Sequence, residues 1–418
     1  MGEDLPVESV LEGLARAPDL AGVLARHPEL TADDVRACLT YAADAVRERR
    51  RRRPPARGWR ALAGTAPMSL LGHLVLALLL LGSLGVEATK PRDPDDAVRR
   101  ICERRFEMTK DAAPVAIPIC LNRESLAEAD DSIGMAVLVI HGSGRNAVSA
   151  QAAVERAVAE SGGHGVLIVA PQFPTKEDLD GQDAGPDVAA WKASDWSQGD
   201  RADAALPAAR VSSFDVLDLL IADISAPDRY PNLRDIIVAG HSAGGQFVHR
   251  YAAGTRIEQD AALAERKLRV RYVVANPSSY LYMVPIHYGP ASSDCKGVGD
   301  YKYGLNDLNT YMRAIGPEAL RSSYPHKDVT MLLGRLDHAL IDPSKDDTCE
   351  GVAQGAHRLN RGVRFARAVD DQYGSGNHKT RVVIVPGVGH SAAAMFTSPE
   401  GRGVLLGAGG GPAGSGAD

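Results

Sequence analysis

The chain of 418 residues has few aromatics, which make up 5% of it, and few cysteines, of which there are five. Five cysteines cannot frame a disulfide-built miniprotein, so the core has to come from burial of apolar side chains. Neither charge sign is in large excess. The 47 Lys and Arg face 53 Asp and Glu, a net −6, so no global basic field points to nucleic acid. With 44% apolar and 24% charged residues, the composition excludes a wholly disordered or collagen-like chain. What is scarce overall is concentrated locally. Residues 47–60 hold eight Arg and one Glu, residues 1–46 carry nine acidic and three basic side chains, and seven of the twelve Tyr fall between 280 and 324.

An uncharged run of 19 residues, Met68–Val86, follows the arginines. A positive flank, an apolar stretch and small residues at Val86 and Ala88 are the grammar of a secretory signal. Nineteen residues also suit a signal anchor that spans a membrane, with the arginines on the inner side. Translation from Met1 and from Met68 are both open. Every version places the chain after Ala88 outside the cytoplasm, with possible membrane attachment through 68–86. The expected organisation is then a short helical segment at 1–46, a basic linker at 47–67, a signal peptide or anchor at 68–88, a pre-domain segment at 89–134, the main domain at 135–398 and a disordered tail at 399–418. In the first segment Thr31 and Asp34 are spaced as a capping box. The stretch from His27 to Ala43 resembles the closing half of small antitoxin-type helix-turn-helix proteins, but no basic recognition helix accompanies it.

From residue 135 the pattern is regular. Short β-branched runs at Met135–Ile140, Val166–Ala170, Ile236–Ala239, Val270–Ala275, Val329–Leu333 and Val382–Val385 alternate with helical periods at Ala147–Glu160, Ser212–Ile224, Gly244–Ala253, Asn306–Ile315 and Val352–Gln372. Nearly continuous apolar strands between helices predict an α/β fold, a mostly parallel central sheet covered by helices on both faces.

Within that frame Gly240-His241-Ser242-Ala243-Gly244 joins a strand directly to an amphipathic helix, the context of a nucleophile elbow. A serine hydroxyl needs a base to take its proton. His390, in Gly387-Val388-Gly389-His390 after the last strand, is placed to serve, ahead of His338 and His287. An acid should hold that imidazole from the exit of the preceding strand. Asp337 is favoured there, and Asp342 is the alternative. A calcium site from Asp342, Asp346, Asp347 and Glu350 is conceivable, yet nothing demands one, so no metal and no cofactor is expected. The turn His141-Gly142-Ser143-Gly144 resembles the His-Gly turn that supplies half of an oxyanion hole. Ser143 is the favoured N–H donor with Gly142 behind it, and Ala243 supplies the other half.

The order Ser242, Asp337, His390 resembles the α/β-hydrolase superfamily over residues 135–396. The stretches Ser212-Ser213-Phe214-Asp215-Val216 and Gly355-Ala356-His357-Arg358-Leu359 add a narrower likeness to secreted esterases of the polyhydroxyalkanoate depolymerase and feruloyl esterase sort. The resemblance implies an exported serine hydrolase that cleaves a small-molecule or polymeric carboxylic ester. The same triad could serve a serine peptidase, and a membrane-tethered interaction protein with a hydrolase-like domain is the non-catalytic alternative. It also implies a lid at about 276–325, where Tyr280 and Tyr282, with Trp196 from the 171–211 insertion, are expected to bind substrate or to pack the lid on the sheet. Four cysteines follow the apolar run, and the favoured pairings are Cys102 with Cys120 and Cys295 with Cys349.

Overall fold

The computed structural model describes residues 98–407, apart from 99, 111–112, 183, 204–210, 286–294, 341 and 343. The expectations for 1–46, 47–67 and 68–88, and that for His287, lie outside the described residues. Among the described residues no helix is long and apolar enough to cross a membrane.

In chain order the main elements are β1 (Arg104–Lys110), β2 (Ala113–Leu121), β3 (Met135–Ile140), α1 (Ala147–Glu160), β4 (Val166–Pro171), α2 (Ser213–Ile224), β5 (Asp235–His241), α3 (Ala243–Gly254), β6 (Arg269–Ala275), β7 (Val329–Gly334), α4 (Arg358–Tyr373), β8 (Arg381–Val385), α5 (Ala392–Thr397) and α6 (Pro399–Leu406). The strands form one sheet in the order β1-β2-β4-β3-β5-β6-β7-β8. The β1–β2 and β2–β4 pairings are antiparallel, and the rest are parallel. The predicted α/β architecture, covered on both faces, is what forms.

Strand alternation divides the core into two layers. On β3, Val137 and Val139 pack with Val154 of α1, Met395 of α5 and Leu405 of α6. Ala136, Leu138 and Ile140 face Leu217 of α2, Phe247 of α3 and Phe365 of α4 on the other side. Local signals start the helices: Ser212 and Asp215 form a capping box at α2, satisfying N–H groups that the first turn leaves open. The strand order reverses at β3, with β4 on one side and β5 on the other, so a crevice opens beyond their carboxyl ends.

Three expectations need correction. The 89–134 segment is not a pre-domain, because it supplies β1 and β2 to the same sheet. Its strands are hard to read: β1 buries only Phe106 and Met108 and turns Arg, Glu and Lys outward as an edge strand does, while β2 carries two prolines. Residues 399–406 are not a disordered tail, since Pro399–Leu406 is a helix with Leu405 fully buried, and the rest of that expected tail, 408–418, lies outside the described residues. The helical period over 352–372 is two helices, Cys349–Ala353 and α4, separated at Gly355, whose φ is +145°.

Both favoured cysteine pairs are joined. Cys102 and Cys120 have Cα atoms 5.1 Å apart, and Cys295 and Cys349 have them 5.7 Å apart. The second pair connects the segment between β6 and β7 to the chain that follows Asp337.

Candidate active site

β5 delivers Ser242 at the sheet's carboxyl edge in a backbone conformation most residues avoid, with φ 61° and ψ −122°. The turn closes only because its neighbours lack side chains. A Cβ on Gly240 would lie 2.3 Å from the Gly244 carbonyl oxygen, and one on Gly244 would lie 2.3 Å from that of Ile140. The Ser242 N–H donates to the Ala275 carbonyl at 3.0 Å, which fixes the elbow to the end of β6.

His390 reaches Ser242 from the loop after β8. Its Nε2 lies 3.0 Å from Ser242 Oγ, and its Nδ1 lies 2.7 Å from Asp337 Oδ2. Asp337 is buried, whereas the imidazole keeps about a quarter of its surface, 23%, open to solvent. A carboxylate only accepts, so Nδ1 carries the hydrogen and Nε2 is free to accept from the serine hydroxyl. The acid loop and the base loop are tied directly, with Leu336 N–H donating to the Val388 carbonyl at 2.9 Å. The Asp337 carbonyl in turn accepts from Leu359 N–H at the start of α4.

Asp342 is engaged elsewhere. Its Oδ2 lies 2.5 Å from Nη1 of buried Arg358, which also stands 3.6 Å from Asp337 Oδ1. Burial works against the Asp342 carboxylate, but the Arg358 charge and hydrogen bonds from Arg358 and Ser344 hold its pKa down at about 2. Two more acids of that conceivable calcium site are also engaged, Asp346 by Lys302 and Tyr303 and Asp347 by Lys345. No cluster suited to a metal ion occurs among the described residues.

The His-Gly turn lies beside the elbow: a Cβ on Gly142 would come within 3.9 Å of Ser242 Cβ. His141 is fully buried and sits on Trp196, with ring centroids 4.4 Å apart. Its Nδ1 is 2.9 Å from the Gly142 carbonyl, and its Nε2 accepts from Phe173 N–H at 3.0 Å. Those partners require a neutral ring, and burial pushes the His141 pKa down to about 4. Because the Gly142 carbonyl is turned to His141 and to Arg145 N–H, the Ser143 N–H on the opposite side of that trans peptide faces the other way. Among the described residues the Ser143 and Ala243 N–H groups donate to no protein acceptor.

The three proposed substrate contacts lie elsewhere. Trp196, Tyr280 and Tyr282 are at most 3% exposed and belong to the core. Trp196 supports His141 from behind and is stacked on Phe173, while Tyr280 stacks on Phe365 and Tyr282 meets its edge. Aromatic side chains this large gain more from packing the sheet than from a rim position. The residue that is apolar and exposed beside the triad is Leu336, at 53%. Composition gave no sign of it, nor of Arg358 and Asn276, whose partners are remote in sequence.

The sheet order, the strained serine between β5 and α3, and an imidazole and acid from the last two strand exits define an α/β-hydrolase fold. Several solved structures are similar to this chain. LpqC, a poly(3-hydroxybutyrate) depolymerase from Bordetella parapertussis, is 21% identical over 70% of this chain and 86% of that one, with a TM-score of 0.48. Poly(aspartic acid) hydrolase-1 from Sphingomonas sp. KT-1 is 21% identical over 73% and 99%, with a TM-score of 0.49. An S-formylglutathione hydrolase from Agrobacterium tumefaciens is 14% identical over 72% and 94%, with a TM-score of 0.38. Residues 2–42 match a family described as a protein of unknown function, DUF433. No curated protein matches the chain in sequence.

Proposed function

We propose that the chain is an exported serine hydrolase of carboxylic esters. The observation that carries this reading is the continuous hydrogen-bonded line from Ser242 through His390 to Asp337. In the first half-reaction Ser242 Oγ attacks the acyl carbonyl while His390 Nε2 takes its proton. Asp337 holds the imidazole in the tautomer that can accept and favours the imidazolium that results. The Ser143 and Ala243 N–H groups, which have no protein acceptor among the described residues, stabilise the oxyanion. Collapse of the tetrahedral intermediate expels the alcohol, protonated by His390, and leaves an acyl-serine. Water, deprotonated by the same imidazole, then releases the acid and restores the hydroxyl.

Export rests on the arginine-flanked run at 68–86 together with the two cysteine pairs after it, which suit an oxidising compartment. The test of the chemistry is labelling by a fluorophosphonate probe with a parallel panel of p-nitrophenyl esters. The wild-type chain should be labelled and hydrolyse esters, and Ser242→Ala should lose both. Equal labelling of the variant would end the assignment. Cleavage of peptide amides with no ester turnover would shift it to a peptidase.

A further inference from the structure

We propose that Asn276 is a positioning residue whose buried amide locks together the three loops that carry Ser242, Asp337 and His390. The proposal rests on the serine-hydrolase reading above. Asn276 follows β6 directly and is fully buried, and its φ of +43° is a left-handed value that Asn adopts more readily than most side chains. Its N–H donates to the Leu332 carbonyl on β7 at 3.1 Å, so the backbone itself is held in place.

The side chain then makes one contact to each loop. Oδ1 accepts from Gly334 N–H at 2.8 Å, at the end of β7 and three residues before Asp337. Nδ2 donates to the Gly389 carbonyl at 3.2 Å, which sets the peptide plane entering His390. The second Nδ2 hydrogen points to His241 Nε2 at 3.4 Å, next to Ser242. A carbonyl accepts and an N–H donates, so only one orientation of the amide satisfies both glycines. The space is fixed as well, since a Cβ on Gly334 would lie 2.5 Å from the Val388 carbonyl oxygen and 3.1 Å from that of Gly389. Two bare backbones meet there, and Asn276 is the polar group that bridges them.

His241 completes the arrangement. Its ring centroid is 4.5 Å from that of His390. Accepting from Asn276 at Nε2 keeps it neutral, and burial, with the nearby His390 and Arg358, pushes its pKa well below the ordinary value. The positive charge that His390 gains therefore faces Asp337 and Ser242, with no second imidazolium beside it, and Arg358 lies beyond the acid.

The experiment measures fluorophosphonate labelling of Ser242 and p-nitrophenyl acetate turnover in wild type, Asn276→Gly and Asn276→Asp, in the full chain. Glycine accepts the positive φ and removes the amide alone. Aspartate keeps the acceptor for Gly334 N–H but sets an oxygen against the Gly389 carbonyl. Both variants should fold. Labelling rate and kcat should fall about 10- to 100-fold with KM within about threefold, as expected when reacting groups shift by a fraction of an ångström to an ångström. Wild-type rates in either folded variant, or a loss carried by KM with kcat unchanged, would overturn the proposal. So would loss of folding in both, which would make Asn276 a support of the sheet and not of the triad. A wild type that is not labelled at Ser242 would instead remove the serine-hydrolase reading itself.

Discussion

Asp337 is joined through His390 to the serine that precedes α3, Asp218 is bonded at the other end of that helix, and the partners of the two carboxylates differ in kind. Asp218, on α2, accepts from Tyr251 and Tyr311 hydroxyls at 2.6 Å each and from the Thr255 hydroxyl at 2.7 Å. It ties α2, the end of α3 and the Thr310–Ile315 helix into one corner. Asp337, near the start of α3, accepts from an imidazole that is itself partly open to solvent and within reach of a nucleophile. Three hydroxyls that stay protonated make a strut. In the proposed mechanism the imidazole takes the serine proton and returns it, which makes a relay. Withdrawing a carboxylate from water does not distinguish the two cases, but the titratability of its partner does.

The largest effect should come from Asp337→Asn. An amide at that position donates toward His390 Nδ1 and favours the wrong tautomer, so kcat should fall about 10⁴-fold while the chain stays folded. Retention of wild-type turnover would erase the contrast with Asp218.

Acid should weaken the Ser242 end through its buried neutral imidazoles. The folded-state pKa of His141 is about 4, below the ordinary value of 6.5, so the unfolded chain takes up this proton first as pH falls. Stability from this group is complete above about pH 6.5 and is lost progressively toward pH 4, on the order of 3 kcal/mol by the lower value. Denaturant titrations at pH 7 and 4.5 should show a smaller loss in His141→Gln, which cannot titrate. Equal losses in both chains would show that His141 is not held neutral.

Asp218→Asn should leave kcat within about threefold and lower stability by about 1–3 kcal/mol, because one hydroxyl donor loses its acceptor. A large kcat effect with unchanged Tm would mean that this corner reports to the site. A modest effect on the rate is expected for Asp342→Asn. Its carboxylate neutralises Arg358 and does not touch His390, so kcat should change by less than about tenfold. A loss as deep as that of Asp337→Asn would make Asp342 the acid.

Much of the site was legible because it is local in sequence. The elbow announces itself as a β-branched strand, Gly-x-Ser-x-Gly and a helix, and His390 and Asp337 each follow a strand at once. The expected disulfide partners also met. Other features stayed hidden because they depend on residues far apart. Arg358 matters only through Asp342 and Asp337, and Asn276 only through Gly334 and Gly389. The tyrosine-rich stretch misled for the same reason, since composition reports that rings are present but not whether Phe365 stands behind them.

The amino-acid sequence by itself determined that a covered parallel sheet would form, that its loops would carry the candidate nucleophile, acid and base in that order, and where the strained turn would fall. Those are consequences of hydrophobic period, of glycine at close approaches and of strand-exit position, all of which act over a few residues. The tertiary structure alone decided that Asp337 and not Asp342 faces His390, that β1 and β2 extend the sheet, and that Trp196, Tyr280 and Tyr282 face inward. Each of those outcomes depends on which groups meet across long loops, and a buried charge or ring settles only where its partner already stands.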